Sequence, residues 1–385
     1  MNMQTDSKDG QKTAGVREEA PRGGMESGHM REHWGWWLGL TLGGTLAALA
    51  VLGGLVISVD PFFHFHKPLE RLAYTIDSER YQNDGISRHF TYDAVMTGTS
   101  MTENFKASQF DRQFGVTSIK IPYGGGYYKE VDESVRRAIS YNPDIKIVFR
   151  GLDKSFLMYH KDDWNPTAPR PDYLYDRNPW NDVNYIFNKE VIFGNIRGVL
   201  AGTRSGGHTT TFDEYMHWAP QKEWGREAVL KTFGRQEGNL ETVPFTEEDR
   251  LMVEANVEQN VLSIARENPD ITFYYFIPPY SIAYWDSELI AKGDFDRQLS
   301  ALRLMCGMIM TCDNIQLFGF DDQFDIICSL DNYMDVIHYS ETVGEQLIDW
   351  MAAGEHRITE DNIDRYFDTI TQFYANYDYS TIYEN

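Results

Sequence analysis

The sequence predicts an α/β protein: a three-layer α/β/α sandwich around a parallel five-stranded sheet, with one N-terminal transmembrane helix. Three observations predict it. From Tyr92 onward, short apolar runs alternate with amphipathic helical stretches, and strands separated by helices run parallel with right-handed crossovers. The run Lys146-Ile-Val-Phe149 is unbroken in its apolar part, as in a strand covered on both faces. And Trp34–Val59 is 26 residues without one charged side chain, whereas roughly 20 cross the hydrocarbon core of a bilayer.

In chain order, residues 1–33 mix Gly, Ser, Glu, Arg and Lys with little to bury, and read as a disordered tail. Residues 34–59 read as a retained signal anchor, too long for the apolar core of a cleaved signal peptide. Trp34, Trp36 and Trp37 at one end and Phe62, Phe63 and Phe65 at the other suit the two membrane interfaces. A stalk follows over 60–87, in which Asn83-Asp84-Gly85 reads as a turn or a pocket edge. The α/β domain spans 88–355: strand Tyr92–Thr97, helix Thr102–Phe110, strand Val116–Ile121, helix Lys129–Tyr141 and strand Lys146–Phe149. It resumes with helix Thr246–Asn268, strand Ile271–Ile277, helix Phe295–Thr311, strand Ile315–Phe318 and a helix Glu341–Ala352 capped by Ser340. Between 156 and 243 the alternation lapses into an Asp-, Asn-, Pro- and Trp-rich insertion over the sheet, with one helix at about Trp180–Leu200. Residues 356–385 supply a C-terminal packing helix.

Composition excludes some functions. A formal charge of −23 argues against nucleic acid, which needs clustered Lys and Arg. The N-terminal 33 residues hold 5 of 35 basic and 6 of 58 acidic residues, so the rest of the chain carries the acidity. The basic residues of the tail weakly favour a cytoplasmic N-terminus and an extracytoplasmic main domain. Cys306, Cys312 and Cys328 allow one disulfide and a free thiol in an oxidising compartment. Their spacing points to no metal, and no cofactor is implied.

Ligand sites of such sheets lie beyond the carboxyl ends of the strands. The first strand runs into Gly98-Thr99-Ser100, which delivers a hydroxyl to that edge. A serine needs a histidine to take its proton and an acid to fix the histidine's tautomer. Asp335-Val-Ile-His338 offers both from one loop, although an isolated Asp-x-x-His more often marks a capped, solvated turn. Other strand ends bring Gly124, Gly125, Gly126, Arg150, Asp153 and Tyr280. Arg150 is equally well read as the partner of a neighbouring acid. His208 and the indoles Trp164, Trp180 and Trp218 are glycan-contact candidates, with packing inside the insertion the plainer reading.

This order of blocks resembles the SGNH/GDSL serine hydrolases, over about Tyr92–Ala352. Gly98-Thr99-Ser100 matches the first block, Gly124–Gly126 the second and Asp335-x-x-His338 the last. The resemblance implies a flavodoxin-like sheet, Ser100 as nucleophile, His338 as base and Asp335 as its orienting acid. Two blocks depart from the family: Thr99 replaces an aspartate, and Gly151-Leu152-Asp153 stands where a Gly-x-Asn-Asp is expected. A carboxylate at Asp153 would repel an oxyanion, so the resemblance leaves the backbone N–H groups of Ser100 and one glycine of Gly124–Gly126 to hold it. Both departures are similar to the membrane-anchored cell-envelope branch, which includes the teichoic-acid D-alanylation protein DltD and the alginate O-acetylation proteins. That branch implies acyl transfer on acetyl or D-alanyl groups of a cell-surface polysaccharide or teichoic-acid-like polymer, with a membrane-bound O-acyltransferase as partner. The alternative is a catalytically degenerate, membrane-tethered adaptor that binds a glycan or an assembly partner.

Overall fold

The structure is a computed structural model and describes residues 27–234 and 241–383. The chain divides into two units at Gly54–Leu55. In the first, helix α1 (Ser27–Val59) begins; its stretch Trp34–Val59 is long and apolar enough to cross a membrane. Of the expected disordered tail, residues 1–26 lie outside the described residues and 27–33 are helical. The last turn of α1, Leu55–Val59, belongs to the second unit, where Val56 and Val59 are buried.

The second unit carries a six-stranded sheet of β1 (Ala94–Thr97), β2 (Ser118–Lys120), β3 (Ile147–Gly151), β4 (Thr272–Ile277), β5 (Ile315–Gly319) and β6 (Arg357–Ile358). Its order is β2-β1-β3-β4-β5-β6. The first five strands pair in parallel, with Val95 opposite Ile119 on one side and Val148 on the other. The sixth strand corrects the expected five. It pairs antiparallel to β5 through Leu317 and Phe318, and two residues are too few to show a period. Val95, Ile119, Val148, Phe273 and Leu317 are fully buried.

Three other helices flank the early strands: α2 (Glu79–His89), α3 (Ala107–Phe114) and α4 (Tyr128–Tyr141). Gln109 on α3 donates to Asp349 on the helix Glu341–Ala353 at 2.9 Å. Arg136 on α4 bonds Ser263 and Glu267, at the end of the helical run that opens at Glu247. That run follows the expected boundaries but is broken by a π-turn over Glu258–Leu262.

The stalk is corrected most. Much of residues 60–87 packs into the core: Phe62 and Phe63, expected at a membrane interface, are buried. Asn83-Asp84-Gly85 sits inside α2, whose sequence is a poor helix former held by burial of eight of its 11 residues. There Asn83 donates to Pro122 O at 2.6 Å and accepts from the Tyr215 hydroxyl at 2.6 Å. The helix expected at Trp180–Leu200 is instead three pieces: Val183–Ile186, a π-turn Val191–Asn195 and Ile196–Arg204. The C-terminal helix, Ile363–Asn376, buries Tyr366, Phe367, Ile370 and Tyr374, and Tyr374 stacks on Trp285 at 3.7 Å. All three cysteines are free.

Candidate active site

β1 ends at Gly98, whose φ of +143° turns the chain sharply. A Cβ there would stand 2.8 Å from Thr102 Cγ2 and 3.2 Å from Gly151 N, so the position requires glycine. Thr99 follows, its hydroxyl accepting from Met101 N and capping a short 3₁₀ turn, Ser100–Thr102. This turn replaces the start of the expected helix; α3 begins five residues later. Lys120 Nζ donates to the carbonyls of Glu103 (2.6 Å) and Phe105 (3.0 Å), fixing the chain beyond the turn. Burial brings the Lys120 amine down to about 7.

Ser100 Oγ lies 2.9 Å from His338 Nε2, a hydrogen bond between residues 238 apart in sequence. On the other side of the ring, His338 Nδ1 is 2.7 Å from Asp335 Oδ2. Asp335 Oδ1 accepts the N–H groups of Ile337 (2.9 Å) and His338 (2.8 Å), so the loop wraps on its own carboxylate. Burial by itself would raise the Asp335 carboxyl; the His338 ring and the two N–H groups outweigh it and hold the carboxyl below its ordinary range. This is the nucleophile, base and orienting acid geometry of a catalytic triad. Tyr339 anchors the segment by donating to Met101 O at 2.6 Å.

The remaining expected site residues separate. Asp153 is buried and occupied by donors: Thr99 Oγ1 at 3.0 Å and Ser155 N at 3.0 Å, with the Tyr280 hydroxyl closing on Oδ1. Its carboxylate bolts the residue before Ser100 to the end of β3. Tyr280, expected to meet substrate, is fully buried and spends its hydroxyl on that bolt. Arg150 is also a correction. Its guanidinium is buried, donating to Asn260 O (2.7 Å) and Tyr128 O (3.2 Å). It lies 5.4 Å from the centre of the Tyr128 ring, and so works in packing. In the glycine run, the N–H of Gly124 is taken by Glu79 Oε2 (2.7 Å) and that of Gly126 by Tyr123 O (2.7 Å). Gly125, at φ +61°, keeps the one N–H of the three with no partner among the described residues.

Two features beside the triad could not be placed there from sequence; one is Trp218, expected either as a glycan contact or as packing inside the insertion. Trp218, from the insertion, stands edge-on to His338 with ring centroids 5.4 Å apart, and lies parallel to Trp224. Its indole N–H is bonded by Glu103 Oε2, and Asn104 Oδ1 accepts the next N–H, Ala219, at 3.0 Å. Glu103 in turn faces Glu79, whose Oε1 is buried without an N–H donor. Burial, then the neighbouring Glu103 carboxylate, push the Glu79 carboxyl well above its ordinary range. Arg80 Nη1, 3.4 Å from Glu79 Oε2, opposes that rise without cancelling it; the stability linked to the raised carboxyl is complete below the ordinary glutamate pKa and lost as pH rises through the raised one. The Glu79–Glu103 pair joins the turn after Ser100, the glycine run and the indole over His338.

Of the other indoles, Trp164 stacks under Arg170 at 3.9 Å and Trp180 is exposed. His208 pairs with Glu214 at 3.0 Å on the surface.

No protein-family model matches the chain, and no curated protein does. A solved structure described as "a putative platelet activating factor from Streptococcus pneumonia" is similar over 71% of this chain and 90% of its own, at 13% identity and a TM-score of 0.34.

Proposed function

We propose that the chain is a membrane-anchored serine esterase or acyltransferase of the SGNH type, with its main domain outside the cytoplasm. The observation that carries this reading is the Ser100–His338–Asp335 chain of hydrogen bonds, 2.9 and 2.7 Å long, at the carboxyl edge of a parallel sheet. The order of the five parallel strands, 2-1-3-4-5, is that of flavodoxin-like sheets, and Trp34–Val59 supports an anchor.

In the mechanism, Ser100 Oγ attacks the ester carbonyl as His338 Nε2 takes its proton, while Asp335 stabilises the imidazolium through Nδ1–H. The backbone N–H groups of Ser100 and Gly125 are the candidates to hold the oxyanion, Asp153 being engaged elsewhere. Collapse expels the alcohol with the proton from His338 and leaves an acyl-serine. Water or a sugar hydroxyl then attacks it, with His338 again the base. The apolar helix Trp34–Val59 and the resemblance to the membrane-anchored cell-envelope branch favour acetyl or D-alanyl groups on a surface glycopolymer, and a membrane-bound O-acyltransferase as partner. An adaptor without chemistry would not need a serine within hydrogen-bonding reach of an oriented histidine, and that distance favours the enzyme.

The test is a fluorophosphonate probe on the full chain in detergent. The parent protein is expected to label, and Ser100→Ala to stay unlabelled. Equal labelling of the two would overturn the assignment.

A further inference from the structure

Within the globular unit, large exposed apolar side chains gather in one stretch. Trp180 (86% exposed), Val183, Phe187, Phe193 (71%) and Leu200 all stand in solvent. Elsewhere beyond α1, among the described residues, Tyr159, Val243, Leu251 and Tyr383 are exposed singly and scattered, which is ordinary. Trp180 and Phe187 flank the short helix Val183–Ile186, which exposes Val183 and buries Tyr185. Along the run 191–204 the spacing is that of a helical face. Phe193, Arg197, Leu200 and Arg204 fall at i, i+4, i+7 and i+11, with Ile196 and Val199 buried behind them.

Charge on this stretch opposes that of the molecule. Residues 177–204 hold four basic side chains (Arg177, Lys189, Arg197 and Arg204) and two acidic ones in a chain of formal charge −23. None of the four is paired with a carboxylate among the described residues. Interleaved large apolar and cationic side chains suit an interfacial segment lying in the headgroup region of anionic lipid.

Position says what covers this face. Asp60, the first residue after α1, accepts the Tyr185 hydroxyl at 2.8 Å and the N–H groups of His64, Phe65 and His66. Phe62 stacks on Tyr185, and its N–H bonds the Tyr185 hydroxyl at 3.1 Å. His64 Nε2 is 3.0 Å from Asp182. The exposed stretch is therefore bolted to the residues through which the chain leaves the apolar helix.

We propose that residues 177–204 form a membrane-docking surface, with Trp180, Val183, Phe187, Phe193 and Leu200 entering the bilayer interface and the four cations meeting lipid phosphates. The proposal rests on α1 spanning the membrane.

The experiment uses the full chain with Cys328→Ser, carrying Phe193→Cys or Leu251→Cys labelled with NBD, in nanodiscs of phosphatidylcholine and phosphatidylglycerol. Co-elution with nanodiscs reads the anchor separately from docking. Dithionite is expected to reduce the label at 193 at least about tenfold more slowly than at 251, as for an interfacial group shielded from water. Charge reversal at Arg177, Lys189, Arg197 and Arg204 is expected to restore fast reduction. Equal rates at the two positions in protein that co-elutes with nanodiscs would overturn the proposal. So would protection found in native membranes but absent from lipid-only nanodiscs, which would assign the surface to a protein partner.

Discussion

Asp335→Asn is expected to lower ester turnover at pH 7 by about 10³–10⁴-fold, the order of loss when a triad aspartate becomes its amide. The local geometry explains why the effect should fall on rate. The amide oxygen can still accept the N–H groups of Ile337 and His338, now held at 2.9 and 2.8 Å, so the loop keeps its shape. The amide N–H₂ must then face Nδ1, which becomes an acceptor, and the ring proton moves to Nε2. A protonated Nε2 facing Ser100 cannot take the serine's proton. Stability should respond in a pH-dependent way. The contribution of Asp335 is present above the ordinary aspartate pKa and lost as pH falls through its lowered value, so the variant and parent should converge in acid. Steady-state turnover with circular dichroism checks both points; a loss below tenfold with the fold intact would remove Asp335 from the mechanism.

Gly85→Ala is expected to cost at least about 3 kcal/mol, the upper end for overpacking a core. An added Cβ would stand 2.2 Å from Phe62 O and 2.6 Å from Phe63 O. Those are main-chain atoms held by Asp60 and Tyr185 and have no rotamer with which to yield. The contrasting change is Gly307→Ala, in the helix Phe295–Ile309, where nothing lies within 4 Å of the new methyl. It should be neutral or slightly stabilising, since alanine is the better helix former. Urea midpoints of the two variants in detergent measure the difference. A neutral Gly85→Ala would mean that residues 60–87 are a spacer after all.

Which parts of this molecule can be read without coordinates follows from the range of the signal. The period of an apolar run is local, so β1 to β5 and their helices stand close to where the alternation puts them. Asp335 and His338 are three residues apart and announce each other. The role of Asp153 is not local: its donors come from Thr99, 54 residues away, and Tyr280, 127 away. Arg150 looks like an anion binder at a strand end until the carbonyls of Asn260 and Tyr128 are seen around it. Trp218 reaches His338 because Glu103 and Asn104 hold its loop, and no spacing in the sequence encodes that pairing. Residues 60–87 mislead for a related reason. Their sequence scatters charged and polar side chains and holds the turn-like Asn83-Asp84-Gly85, yet contacts with Tyr185, Tyr215 and Pro122 bury much of it.

The proposed mechanism passes through a covalent acyl-Ser100 intermediate. Turnover of a chromogenic acetate ester by the full chain, quenched in acid and digested, should yield one acetyl ester on the peptide carrying Ser100. Sustained turnover with no acetyl on Ser100, or an unchanged rate in Ser100→Ala with acetyl carried elsewhere, would contradict it.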